Sequence, residues 1–302
     1  MGKIAFVFAG QGAQAPGMGH AFYTSSPESA ALFQLADQKR PGTSVQCFEA
    51  PEEELQLTIN TQPCLYTVEM AIAKAAEAAG IHADMAAGFF LGELSALTYA
   101  GAMDFDTGIE VVTRRAELMQ ACAEKHDTAM AAVMKLDNDK IAEICSRYTQ
   151  MYPVNFNCPG QTTVSGDAKE MEAFAQEVKE NGGRAKVLKV SGAFHSPFMS
   201  EAADGFSEVL KNAPVSSPSM PVYANYTGLP YEGDMKEILA AQINHPVQWE
   251  KSVRRMIEDG ADTFIELGPG KTLCGLIKRI SSEVRLFHVA VPEELELLKN
   301  EL

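Results

Sequence analysis

Gly88-Phe89-Phe90-Leu91-Gly92-Glu93 decides the reading of this 302-residue chain. A short apolar run, 85–88, leads into it, and Glu93-Leu94-Ser95-Ala96-Leu97 has the composition of a helix leading out. Gly88 and Gly92 stand two residues either side of position 90. That is the spacing of a G-x-S-x-G elbow, where a strand turns sharply into a helix and lifts one side chain above a sheet. The chemistry of such a tip needs a hydroxyl. Residue 90 is Phe, which can neither attack a carbonyl nor pass a proton.

Before the elbow, Lys3 to Phe8 reads as a first strand, closed by the turn Gly10-Gln11-Gly12-Ala13-Gln14. Helical patterns are expected at about 28–38, at 64–79 after Thr61-Gln62-Pro63, and at 106–123. Strands alternating with helices predict a parallel sheet covered on both faces. From about 127 to 191 the rhythm changes to β-α-β-β-α-β. Strands are expected at 129–135, 154–156, 162–165 and 185–190, with helices at 139–148 and 168–180. This is the split ferredoxin-like order, small enough to be an inserted domain. The α/β rhythm then resumes, with helices at about 197–212, 235–243, 247–259 and 271–280. Strands are expected at 222–224, 263–266 and 285–288, and Pro292-Glu293-Glu294-Leu295 reads as a solvated helix or a frayed tail. The predicted main domain is therefore 1–126 with 192–302, and the small domain 127–191.

Composition narrows the function classes. A net charge of −15 argues against general binding to nucleic acid or an anionic membrane surface, and leaves room only for a local basic patch. Six scattered cysteines with no C-x-x-C and no metal-ligand spacing predict buried thiols in a reducing compartment. The apolar run at 4–8 is too short for a signal peptide, and no segment approaches a membrane span. The expectation is a cytoplasmic protein, monomeric by default.

The chain resembles the malonyl-CoA:acyl carrier protein transacylases, the acyltransferases of fatty-acid and polyketide synthesis. The likeness rests on motifs that follow one another along nearly the whole sequence. They are 6–14, Thr61-Gln62-Pro63, the elbow, Arg115 with Leu118-Met119-Gln120, and Asn155-Phe156-Asn157-Cys158-Pro159-Gly160-Gln161. Gly192-Ala193-Phe194-His195-Ser196-Pro197, Asn225-Tyr226-Thr227-Gly228, Gln242 with Pro246-Val247-Gln248-Trp249, and Glu266-Leu267-Gly268-Pro269-Gly270-Lys271 complete it. The fold implied is an α/β-hydrolase-like parallel-sheet domain carrying the inserted ferredoxin-like domain, with the active cleft between them.

The resemblance also implies a two-step transfer. An elbow serine takes malonyl from malonyl-CoA and passes it to the phosphopantetheine thiol of acyl carrier protein. Phe90 stands at the serine position, Phe89 where histidine is common and Ala13 where serine is frequent. His195 would be the base, since imidazole titrates near neutrality. Gln242 would orient it through a backbone carbonyl, and Gln11 and Leu91 would supply the oxyanion N–H groups. Arg115 would pair with the malonyl carboxylate through two parallel hydrogen bonds, a contact an acetyl group lacks.

Blander readings stand beside these. Gly10-Gln11-Gly12 taken alone is a turn, an arginine pair at 114–115 is commonly a solvated helix face, and a lone histidine is more often structural. Glu93 is equally a first-turn carboxylate favoured by the helix dipole. Trp249, the only tryptophan, reads as core. Ser95 lies about 140° round the helix from the tip and Ser196 adjoins the histidine, so neither replaces the missing hydroxyl. No metal or prosthetic group is implied. A basic docking patch for the carrier is expected among Arg184, Lys186, Lys189, Lys271, Lys278 and Arg279. With Phe90 in place the transacylase is expected to be inactive or nearly so. The alternatives are a non-catalytic binding protein for CoA esters or carrier protein and, less favoured, a hydrolase using His195 and water.

Overall fold

The computed structural model describes residues 2–188, 190 and 192–302. Among the described residues, nine strands follow in chain order. They are β1 (Lys3–Phe8), β2 (Met85–Gly88), β3 (Thr128–Met134), β4 (Met151–Cys158), β5 (Gln161–Asp167), β6 (Arg184–Val187), β7 (Val222–Tyr223), β8 (Ala261–Leu267) and β9 (Arg285–Val289). β7-β2-β1-β8-β9 form one sheet, parallel throughout.

The residues of β1 explain why this sheet lies inside the protein. Phe6 and Phe8 join the core on one face, with Leu65, Leu94 and Ile109, while Ala5 and Val7 join a second core with Trp249, Val253 and Phe264. Both alternating sets are apolar, as a sheet covered on two faces requires. The helices Thr58–Ala78, Gly92–Tyr99 and Phe105–Ala123 belong to the first core and Trp249–Glu258 to the second. Trp249 is core, as expected.

The second sheet is antiparallel, in the order β4-β5-β3-β6. That order, with helices Asn138–Cys145 and Ala168–Glu180 in the crossovers, is the ferredoxin-like arrangement. Its own core holds Ala131, Val133, Ile141, Val164 and Phe174. β4 also joins the main domain, through Val247 N–H to the Val154 carbonyl at 2.8 Å and Phe156 N–H to the Val247 carbonyl at 2.9 Å.

The structure departs from the expected elements in places, and at the C-terminus it decides between two alternatives. The helix expected from residue 64 begins at Thr58 and runs through Pro63. Proline there deprives only the Ile59 carbonyl of its partner, and Ile59 is an exposed residue. Short helices at His20–Ser25, Thr43–Glu49 and Glu52–Leu55 were not anticipated, being too brief to show a periodicity. The C-terminus is a helix, Pro292–Glu301, and not a frayed tail. Leu295 and Leu298 are buried, and Glu294 meets His288 of β9 at 2.9 Å. The strand expected at 185–190 ends at Val187, and Lys189 and the boundary residue Ser191 lie outside the described residues. Among the described residues no helix is long and apolar enough to cross a membrane.

Pairing of Phe8 with Gly88 on one side and Leu267 on the other brings the ends of β1, β2 and β8 to one edge of the sheet. The turns that follow those strands meet there, where parallel α/β sheets place their sites.

Candidate functional site

β2 passes into the helix Gly92–Tyr99 through one residue in the left-handed region, Phe90, with φ 62°. The flanking glycines are demanded by close approach. A Cβ on Gly88 would collide with the Gly92 carbonyl, and one on Gly92 with the Phe8 carbonyl. Asn225 holds the tip. Its Oδ1 accepts from Phe90 N–H at 2.7 Å, and its Nδ2 donates to the Gly88 carbonyl at 2.5 Å.

The structure brings Phe90, His195, Arg115 and Gln242 together. The His195 ring lies edge-on to Phe90, centroids 4.3 Å apart, and the Arg115 guanidinium carbon sits 5.1 Å from the Phe90 ring centre. His195, itself at φ 60°, meets the Gln242 carbonyl through Nδ1 at 2.8 Å. With the proton on Nδ1 that contact is a donated hydrogen bond, and Nε2 is left as a free acceptor, buried without a partner. Burial, with a smaller push from the Arg115 charge, lowers the His195 pKa to about 3 against the opposing hydrogen bond to Gln242.

Arg115 donates to Gln62 Oε1 and Gln242 Oε1, each at 2.6 Å. Burial pulls its pKa down while Glu93 opposes the shift, and a guanidinium stays charged at neutral pH. Arg114 turns outward to pair with Glu117. Of the two arginines, the inward one is Arg115.

A cavity of about 210 Å³ lies between the two sheets, lined by Gln11, Phe89, Phe90, Asn155, Asn157 and Thr163 among others. His195 and Arg115 do not line it, and their exposures are 1% and 0%. Phe90 lines the cavity and packs its ring against those two groups. Gln11 stands on the cavity side, its Nε2 donating to Thr58 Oγ1 at 3.2 Å and its Oε1 buried without a partner. Leu91 is buried at the N-cap of the elbow helix, where backbone N–H groups have no intrahelical acceptor. A larger hollow of about 670 Å³, between helices Asn138–Cys145 and Trp249–Glu258, contains none of these residues.

Ser95 donates to Glu69 Oε2 at 2.6 Å and Ser196 to the Ala193 carbonyl at 2.6 Å, so neither hydroxyl serves the tip. Of the expected basic patch, Arg184, Lys186, Lys271 and Lys278 are exposed, and Arg279 donates to Gln161 Oε1 at 2.5 Å beside the cavity. Lys189 lies outside the described residues.

Four residues of the site carried no assigned role in the sequence: Gln62, Glu93, Asn225 and Tyr231. Gln62 and Asn225 sat inside motif runs without a spacing that marked them. Glu93 is in the first turn of its helix, as expected, but it is buried there. It is fully buried and accepts from Tyr231 Oη at 2.5 Å, Asn225 N–H at 3.1 Å and Gln242 Nε2 at 2.9 Å.

Comparison with known proteins fits this geometry. The acyl transferase domain profile matches residues 5–290. A malonyl CoA-acyl carrier protein transacylase of Bacillus subtilis is 39% identical over 305 residues, 98% of this chain and 96% of that protein. The structure of a malonyl CoA-acyl carrier protein transacylase from Clostridium perfringens superposes with a TM-score of 0.96 at 34% identity, covering 99% of this chain and 96% of the other. A malonyl-transacylase solved in complex with a type II polyketide acyl-carrier protein gives 0.96 at 32% identity, covering 99% and 100%.

Proposed function

The chain belongs to the acyl transferase family that includes the malonyl CoA-acyl carrier protein transacylases, and from that premise we propose that its site is built for malonyl transfer and is blocked at one residue. The substrates would be malonyl-CoA and the phosphopantetheine thiol of an acyl carrier protein, in fatty-acid or polyketide synthesis. The observation that carries the reading is the packing of Phe90 against His195 and Arg115 at the elbow tip.

Each neighbour has a role once a hydroxyl stands at position 90. His195 Nε2 would take the proton, held in the right tautomer by the Gln242 carbonyl. N–H groups of Gln11 and Leu91 would receive the charge that builds on the thioester oxygen. Arg115, presented by Gln62 and Gln242, would pair with the malonyl carboxylate. The scheme requires no cofactor. Phe90 takes away the covalent step and also covers the base and the arginine. A CoA-ester binding protein that relied on Arg115 is less well supported, because its guanidinium has no open face.

Restoring the hydroxyl tests the proposal. The Phe90→Ser protein should form a malonyl-enzyme adduct visible by intact mass spectrometry and show ping-pong kinetics with carrier protein. The Phe90 protein should form none, since loss of a serine nucleophile costs on the order of 10⁶ in kcat. Vigorous transfer by the Phe90 protein, or a folded Phe90→Ser protein that never acylates, would overturn it.

A further inference from the structure

Glu93 lies three residues past the elbow tip with its side chain wholly enclosed. A buried carboxylate is tolerated only where donors satisfy it. Its donors come from two distant segments: the Asn225 N–H and Tyr231 hydroxyl on Oε1, and Gln242 Nε2 on Oε2. Two of the donor residues hold the rest of the site. Asn225 grips the tip backbone on both sides, at Phe90 N–H and the Gly88 carbonyl. Gln242 donates to the Phe90 carbonyl at 2.5 Å, accepts from Arg115 with its side-chain oxygen and meets His195 with its backbone carbonyl.

The direction of the Gln242 amide follows from its neighbours. A guanidinium offers only donors, and Glu93 Oε2 and the Phe90 carbonyl both accept from the Gln242 amide. With Arg115 on one side and Glu93 on the other, the oxygen must face Arg115 and the NH₂ must face Glu93. The Phe90 carbonyl accepts from the same NH₂, and the Glu93 carboxylate adds the second acceptor that holds it there.

We infer that Glu93 is the positioning residue of this site, its carboxylate joining Gln242 and Asn225 so that the elbow backbone, His195 and Arg115 sit in one frame. The inference deepens the acyl-transfer reading and rests on it for its meaning, but the frame exists in the Phe90 protein and can be measured there.

Glu93→Gln keeps the shape and replaces one acceptor oxygen with a donor. Either Gln242 turns over, presenting NH₂ to Arg115 and its oxygen to the Phe90 carbonyl, or the new amide faces the Asn225 N–H as donor against donor. Hydrogen exchange followed by NMR in the Phe90 background reads the consequence. The Phe90 amide and the His195 Nδ1–H should both exchange about tenfold faster or more, while amides of the β3–β5 ladder keep their rates. Unchanged exchange at either of the two sites would overturn the inference. Should Glu93→Gln fail to fold, Glu93→Asp, which keeps the charge but shortens its reach, must give the same paired acceleration or the inference fails.

A second readout uses the Phe90→Ser background. There Glu93→Gln should lower the acylation rate at saturating malonyl-CoA by about 100-fold, the scale of a misplacement near 1 Å, with KM moving less than about threefold. Equal acylation rates in a folded variant would count against positioning. A Phe90→Ser protein that never acylates would refute the transfer reading and leave the exchange result to decide on Glu93.

Discussion

Phe90 and His195 meet edge to face at the elbow, ring centroids 4.3 Å apart with planes at 83°. Phe194 approaches the same ring at 5.7 Å and Arg115 at 5.1 Å. The aromatic side chain is therefore well packed, and its packing partners are the groups that the proposed acyl transfer would need open. The backbone beneath it keeps the strained turn, φ 62°, that a presented side chain requires.

That combination separates two costs. Replacing Phe90 by Ala or by Gly loses ring burial in both cases, about 3–5 kcal/mol for a buried aromatic. Only Gly is at ease with positive φ, an advantage of about 1 kcal/mol at such a position. Urea unfolding should place Phe90→Gly below the parent but above Phe90→Ala. An Ala variant at least as stable as the Gly variant would mean that the turn relaxes once the ring is gone.

The glycines flanking the tip should be intolerant. A Cβ on Gly88 or Gly92 meets backbone atoms, not flexible side chains. Gly88→Ala and Gly92→Ala should each lose more than about 3 kcal/mol, the range of core overpacking and beyond. Gly12→Ala meets no neighbouring atom but sits at φ 110°, so its loss should be about 1 kcal/mol. Thermal melting of the three variants would rank them, and a Gly92→Ala protein as stable as Gly12→Ala would contradict the close approach.

The elbow was legible because its two glycines report a backbone constraint, and backbone constraints survive in local sequence. The same holds for β1, whose continuous apolar run Ala5 to Phe8 reports two covered faces. Arg115 could be told from Arg114 only by its offset within a motif, and its inward face depends on Gln62 and Gln242, 53 and 127 residues away. Glu93 could be placed in the first turn of its helix, but its burial could not be read. Asn225 and Tyr231, which bury and satisfy it, lie 132 and 138 residues distant, and nothing local distinguishes a solvated first-turn carboxylate from a buried one. Pro63 misled for the reverse reason. A local rule against proline in a helix yields where the freed carbonyl lies on an exposed residue.

Arg115 should govern acyl selectivity once residue 90 is serine. Paired bidentately, the guanidinium adds charge-assisted hydrogen bonds of about 1.5–3 kcal/mol to a malonyl carboxylate. Arg115→Ala in the Phe90→Ser background should cut the malonyl-CoA to acetyl-CoA ratio of kcat/KM by about 10- to 100-fold. Arg115→Lys should recover only part of it, because an ammonium cannot span Gln62, Gln242 and the ligand in one plane. A ratio unchanged in Arg115→Ala would remove the arginine from the substrate site.

The last prediction concerns pH, where Glu93 and His195 act in opposite senses. Burial raises the Glu93 carboxyl to about 7, against the hydrogen bonds from Tyr231, Asn225 and Gln242 and the Arg115 charge. Its unfolded value is about 4.3, so between those limits the native state holds a proton that the unfolded chain has released. Stability from this group is full below about pH 4 and is lost as pH rises through 7. Burial, with help from Arg115, lowers His195 to about 3, against about 6.5 unfolded. Its contribution is full above 6.5 and is lost as pH falls toward 3. The two windows overlap between roughly pH 4.3 and 6.5, where one proton is bound on folding and one released, and the slopes cancel. Breaking the pair should expose each half. His195→Asn should lose stability relative to the parent by about 1.4 kcal/mol per pH unit as pH rises across that window, and Glu93→Gln should gain at a similar rate. Urea unfolding at four or five pH values between 4 and 7.5 would show the two difference curves diverging with opposite sign. Curves for both variants that run parallel to the parent would mean that neither group titrates from within the buried frame.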